Sequence, residues 1–230
     1  MSHELQPRLI EVRKNVLRQN DIVARELRQH FRDSGICVVS LVSSPGSGKT
    51  AFLEKTLARL RTYFRVAALV GDLATENDAA RLARSRVPVK QITTGTLCHL
   101  EAAMVRTALD DWNVGELDFL FIENVGNLVC PASYDIGEDL RLVLLSVSEG
   151  EDKPLKYPTI FNTADLAVIT KMDLAEAVEF DLAAAERNIE QVRPGMPVMK
   201  VSSKSGRGME EWLQFLASAR KSHLQQYAHS

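Results

Sequence analysis

At 230 residues, 45% hydrophobic and 25% charged, the chain has the size and composition of one globular domain that buries a core without staples. A net charge of −2 gives no electrostatic case for a nucleic-acid partner, and no apolar run approaches membrane-spanning length. Three cysteines exclude a dense disulfide framework, and the first residues do not resemble a secretory leader, so a cytoplasmic protein with neither nucleic acid nor membrane as partner is expected.

Residues 8–31 read as one helix, because Leu9, Val12, Val16, Val23 and Leu27 recur near helical spacing among Arg, Glu and Gln. Asp33-Ser34-Gly35 ends it. Residues 1–34 are expected to form a helical extension packed on a P-loop domain of residues 35–230, with an arm for a partner as the alternative.

An apolar run over 36–42 leads into Ser43-Ser44-Pro45-Gly46-Ser47-Gly48-Lys49-Thr50, and a helical pattern follows. Strand, glycine loop and helix are the context a phosphate-binding loop requires. Small residues let backbone N–H groups turn toward phosphate oxygens, and the helix points its positive end at the same anion. Gly46, Ser47 and Gly48 form the cradle, Lys49 reaches the β/γ-phosphates, and the Thr50 hydroxyl serves Mg²⁺. Ser43 stands where the G-x-x-x-x-G-K-S/T pattern has its first glycine.

A second strand, 65–72, ends in Asp72, and a helix begins near Asp78. An acid at a strand's carboxyl end holds Mg²⁺ or orients a water; a turn or capping role is the plainer alternative for both residues. After a short strand at 89–93, Cys98 and His99 stand side by side ahead of a helix at 101–109. Thiolate beside imidazole suits Zn²⁺ or Ni²⁺, although two ligands alone make no site. The strand at 118–123 ends in Glu123, a Walker-B acid for Mg²⁺, and Gly126 is placed to donate its N–H to a γ-phosphate. Cys130 lies on the same loop and moves with it, whereas Cys37 lies inside the first strand as a core residue.

A strand at 141–147 precedes a charged, proline-containing surface segment at 149–158, and 159–162 is ambiguous. A strand at 165–169 runs into Thr170-Lys171-Met172-Asp173, an N/T-K-x-D pattern in which Asp173 accepts from guanine N1–H and the 2-amino group while Lys171 packs along the base. Adenine lacks that donor pair, so the pattern selects GTP. A helix at 176–191 and a strand at 197–201 follow, then Ser203-Lys204 in a base-backing loop and a final helix from 209 to about 220. His223 and His229 are expected in solvent. Strands alternate with helices throughout, which implies an α/β fold with a mostly parallel sheet covered on both faces.

The ordered set S-S-P-G-S-G-K-T, G-D-L-A-T-E-N-D-A, G-T-L-C-H-L, E-N-V-G-N-L-V-C-P, S-E-G-E-D-K-P-L-K-Y-P and T-K-M-D resembles the HypB family, GTPases of nickel insertion into NiFe-hydrogenase, over residues 36–204. The resemblance implies a SIMIBI-class P-loop fold, GTP hydrolysis to GDP, and a homodimer favoured by GTP. It also implies work with a HypA-type nickel metallochaperone and, indirectly, the hydrogenase large subunit. It makes Cys98, His99 and Cys130 a Ni²⁺ or Zn²⁺ site at the dimer interface. Some relatives carry an N-terminal Cys-rich or His-rich stretch; no cysteine precedes Cys37 here, and metal storage is not expected. Lys49, Asp72 and Asp78 are the expected catalytic group; Thr50, Asp72 and Glu123 are the expected Mg²⁺ ligands. The alternatives are a maturation GTPase for another nickel or cobalamin enzyme and a small-molecule P-loop kinase. Lys171 and Asp173 speak against the kinase.

Overall fold

The computed structural model describes residues 6–72, 77–110, 112 and 116–227. Seven strands form one sheet: β1 (Cys37–Ser43), β2 (Val66–Asp72), β3 (Val89–Thr93), β4 (Phe119–Glu123), β5 (Leu140–Ser146), β6 (Leu166–Thr170) and β7 (Val198–Lys200). Their spatial order is β3-β2-β4-β1-β5-β6-β7, and every neighbouring pair is parallel. The central strands are continuous apolar runs because both faces are covered, the signature of a parallel sheet.

Among the described residues, eight α-helices supply the cover: α1 (Gln6–Asp33), α2 (Lys49–Leu60), α3 (Asn77–Ala83), α4 (Ala102–Leu109), α5 (Lys153–Lys156), α6 (Pro158–Thr163), α7 (Leu182–Val192) and α8 (Met209–Tyr227). Alternate β1 side chains divide between the two faces. Cys37, Val39 and Leu41 pack with Phe52, Leu53 and Leu57 of α2, Leu82 of α3 and Trp212 of α8. Val38 packs on the other face with Phe31 of α1 and Val105 of α4. Farther along that face, Val42 joins Phe161 of α6 and Ile189 of α7. The fold is therefore the doubly covered parallel α/β sheet that the alternating pattern implies.

Several boundaries differ from expectation. In α1, Val23, Ala24, Leu27 and Phe31 are buried against the sheet and α4, but Val16 is 46% exposed. The segment at 149–158 is not a plain surface loop. Pro154 and Pro158 sit in the first turns of α5 and α6, where the missing N–H costs nothing, and α6 resolves the ambiguous stretch as helix. Helix α7 begins at Leu182, later than position 176, because Asp181 caps it by accepting from Ala184 N–H at 2.9 Å. Helix α8 runs on to Tyr227 and buries His223, whose Nδ1 lies 3.6 Å from Asp139, so His223 is not a solvated tail residue. His229 lies outside the described residues.

Candidate nucleotide site and metal centre

The sheet order reverses around β1, and ligands of open α/β sheets bind beyond the strands' carboxyl ends at such a point. There the loop between β1 and α2 borders a cavity of about 510 Å³. Residues 45–51 form one wall. Asp72, Asp78, Glu123, Val125, Gly126 and Lys171 complete it, together with Arg81, for which the motifs gave no part. Gly46 and Gly48 hold φ of 73° and 93°, a left-handed backbone open to glycine at little cost, and the turn they make aims the start of α2 into the cavity.

Ser43 has a clear part in this site. It closes a fully buried strand, and its φ is not among the positive ones, so the backbone does not need glycine there. Its Oγ accepts from Lys49 Nζ at 3.0 Å and from Ser47 Oγ at 2.5 Å, and donates to the Ser44 carbonyl. The hydroxyl therefore gives the buried Lys49 ammonium a hydrogen-bond partner. Burial lowers the Lys49 pKa, while Glu123, Asp78, Glu149 and Asp72 oppose that shift through their negative charge.

Thr50 Oγ1 donates to Glu123 Oε1 at 2.7 Å. Glu123 is 2% exposed, and its other oxygen, Oε2, is buried with no hydrogen-bond partner. Burial pushes this carboxyl up to about 7 against the pull of Lys49 and Thr50. A hydroxyl, an orphaned buried carboxylate oxygen and the strand-end Asp72 make an oxygen set suited to Mg²⁺.

At the base end, Lys171 adopts a left-handed conformation with φ of 57°. Its Nζ donates to the Gly46 carbonyl at 2.7 Å and its stem lies over Gly48. Thr170 Oγ1 donates to the Ser47 carbonyl at 2.6 Å, which fixes the guanine-type motif to the phosphate loop. Asp173, Ser203 and Lys204 do not line the phosphate cavity. Asp173 is exposed, and Ser202 Oγ donates to its Oδ1 at 2.5 Å. Ser202 opens the loop expected to back the base, and its hydroxyl orients the carboxylate. Residues 73–76, between Asp72 and Asp78, lie outside the described residues.

The thiol-imidazole set comes together from two loops, one after β3 and one after β4. Donor atoms of Cys98, His99 and Cys130 all lie within 4.8 Å of one another. Cys98 Sγ and His99 Nδ1 are 4.0 Å apart. The His99 ring lies 3.9 Å from the Tyr134 ring, and its Nε2 faces Glu101 at 3.4 Å, so Nδ1 is the nitrogen turned toward the thiols. The Cys130 thiol is raised, first by its hydrogen bond with Cys98 and then by burial. Two thiols and an imidazole fit a borderline-soft divalent ion and leave a coordination position open. Leu97 and Val129, beside two of these ligands, are 37% and 63% exposed.

Residues 37–200 match the family described as CobW/HypB/UreG, nucleotide-binding domain. The hydrogenase maturation factor HypB of Azotobacter vinelandii is 45% identical over 219 residues, which is 95% of this chain and 72% of that protein. The hydrogenase/urease maturation factor HypB of Helicobacter hepaticus is 42% identical over 227 residues, covering 97% of this chain and 93% of that one. Among solved structures, HypB from Helicobacter pylori in complex with nickel matches with a TM-score of 0.84 and 42% identity over 90% of this chain and 97% of that chain. The signal recognition particle 54 kDa protein of Aeropyrum pernix in complex with GDP, at 16% identity and a TM-score of 0.56 over 84% of this chain and 49% of that one, shares the fold alone. Among the described residues, no helix is long and apolar enough to cross a membrane.

Proposed function

The chain belongs to the HypB family of hydrogenase maturation factors, and from that premise we propose that it binds and hydrolyses GTP and uses the nucleotide to switch a dimer that delivers nickel. Asp173 reads guanine N1–H and the 2-amino group, Lys171 packs along the base, and Ser203-Lys204 back it. The loop amides of Gly46, Ser47 and Gly48 cradle the phosphates. Lys49 leaves Ser43 for the β/γ-phosphates, because a phosphate carries more charge than a hydroxyl dipole. Thr50, Asp72 and Glu123 hold Mg²⁺, which when bound neutralises charge on those phosphates. Asp72 and Asp78 stand at the γ-phosphate end, where a carboxylate orients the attacking water.

The coupling has a physical origin. Gly126 receives the γ-phosphate on the segment that runs from Glu123 to Cys130, so ordering one end of the segment moves the other. In the GTP state two protomers meet and their Cys98, His99 and Cys130 enclose Ni²⁺, with Zn²⁺ a competitor for the same donors. Hydrolysis loosens that set, and the metal passes toward the hydrogenase large subunit with help from a HypA-type metallochaperone. Residues 1–34 act as an extension docked on the GTPase domain of residues 35–230. The protein works in the cytoplasm.

The observation that carries this reading is the meeting of Cys98, His99 and Cys130 within 4.8 Å on two loops, one of which begins at an acid of the nucleotide cavity. Nickel titrations with GDP or a non-hydrolysable GTP analogue, on wild type and Cys130→Ala, test it. We expect the analogue to change nickel affinity and to favour the dimer in wild type, and Cys130→Ala to lose both effects while still binding GTP. Unchanged metal affinity and oligomeric state on adding the analogue would remove the switch.

A further inference from the structure

Leu100 follows directly on the ligand pair Cys98-His99, and it is gripped from both Mg²⁺-acid strands. Its side chain is fully buried against Gly71, the residue before Asp72; a Cβ at that glycine would stand 2.7 Å from the leucine Cγ, so only glycine lets the chain in. Its backbone N–H donates to Asn124 Oδ1 at 3.1 Å, and Asn124 is the residue after Glu123. Asn124 is 3% exposed. The same oxygen accepts from Val125 N–H at 2.9 Å, which leads into Gly126. One buried carboxamide oxygen thus ties the start of the Glu123–Cys130 segment to the arm that bears the other two metal ligands.

Neighbouring contacts bound what can move. Asn127 Nδ2 donates to the Cys98 carbonyl at 3.4 Å, a second tie between the two loops. On the outer side, Asn20 of α1 accepts from Ala102 N–H at 2.9 Å and donates to the Asp135 carbonyl at 2.7 Å. The far ends of both ligand segments are therefore pinned to α1, and their near ends meet at Asn124.

We propose that Asn124 is the positioning residue that transmits nucleotide state to the Cys98-His99 arm, through its hydrogen bond to the Leu100 N–H. This rests on the nucleotide-switched metal site proposed above. Cys130 moves because it shares a segment with Glu123; Cys98 and His99 move because Asn124 pulls the backbone beside them. The Asn127 contact with Cys98 is longer and only part-buried, so the buried Asn124 tie is the main link from the nucleotide to Cys98 and His99. A buried amide N–H has no water to turn to, so the tie holds through small shifts of the loop.

The test measures Ni²⁺ affinity of the full chain by chelator competition, with GDP and with the non-hydrolysable GTP analogue, for wild type and Asn124→Ala. Coupling between sites is typically about 5- to 150-fold, and nickel must change the analogue's affinity relative to that of GDP by the same factor. In Asn124→Ala we expect that ratio to fall to within about twofold of unity, with nickel affinity of the nucleotide-free protein and guanine-nucleotide affinity held within about threefold. A merely structural role would instead lower the affinities and leave the ratio. If wild type couples and Asn124→Ala couples equally, the proposal is overturned and the switch stands. Absence of coupling in wild type overturns both. Should Asn124→Ala fail to fold, hydrogen exchange of the Leu100 amide in wild type decides: protection kept with both GDP and the analogue supports the tie, and rapid exchange in either state refutes it.

Discussion

Burial holds the Glu123 carboxyl at about 7, where an ordinary glutamate titrates at 4.5, although Lys49 and Thr50 both pull it down. A carboxyl raised by folding contributes stability that is complete below its unfolded value and is lost as pH rises through the folded one. Between about pH 4.5 and 7 the folded state binds more protons, so this residue removes on the order of 3 kcal/mol across that window. Thermal melts of protein free of nucleotide and metal should fall as the buffer moves from about pH 5 to 8, and Glu123→Gln should flatten the decline because the amide has no charge to bury. A wild-type profile as flat as the variant's would contradict the burial cost. The position of this acid is plain in the sequence as an apolar run ending in a carboxylate. Its protonation is not, because that depends on burial by segments far apart in the chain. Ser43 is the converse: it looks like a defect in a glycine pattern, and only the position of Lys49 Nζ shows the hydroxyl as a partner.

Elements with several turns or an apolar strand were legible; the two short helices after β5 were not. The apolar runs ending at Ser43, Asp72, Glu123 and Thr170 stand out because both faces of each strand are covered. Helices α5 and α6 are only 4 and 6 residues long, too short for an apolar period to show, and each carries a proline that reads as a break. The segment at 176–181 misleads in the other direction. Its composition continues the helical pattern, but Glu179 takes φ of 52° and Phe180 N–H bonds back to the Ala175 carbonyl, so the chain turns. Asp181 then restarts the helix, its own N–H bound to Glu151 and its side chain accepting from Ala184. Asp181→Ala should cost about 1 kcal/mol, within the 0.5–2 range for lost caps, read by urea denaturation, and Asp181→Ser should recover most of it. An unchanged midpoint would mean that α7 is held by Ile189 and its packing alone.

At the scale of the molecule, every proposed ligand lies beyond the carboxyl edge of one parallel sheet, and adjacency of β2, β4 and β1 brings the phosphate loop, two acids and two thiols to one end. Alternation of strands and helices implied such a sheet, but not that the loops after β3 and β4 would meet, since β2 lies between those strands and the loops must reach across it. Among the described residues, nothing covers the rim of this end. Val129 and Leu97 present apolar side chains to solvent beside Cys130 and Cys98. A metal set with an open coordination position, rimmed by exposed apolar groups, has the composition of an interface centre, where charge is depleted. If the GTP state closes two copies over this patch, a carboxylate placed there must be desolvated without a partner. Val129 is 63% exposed, so Val129→Asp should leave monomer stability within about ±0.5 kcal/mol. It should leave guanine-nucleotide affinity intact, since Val129 does not line the cavity. Dimerisation with the GTP analogue and Ni²⁺ should weaken by at least about tenfold, roughly 1.4 kcal/mol, in sedimentation equilibrium. A dimer of undiminished affinity in Val129→Asp would place the interface on another face and leave each protomer's Cys98, His99 and Cys130 to hold nickel alone.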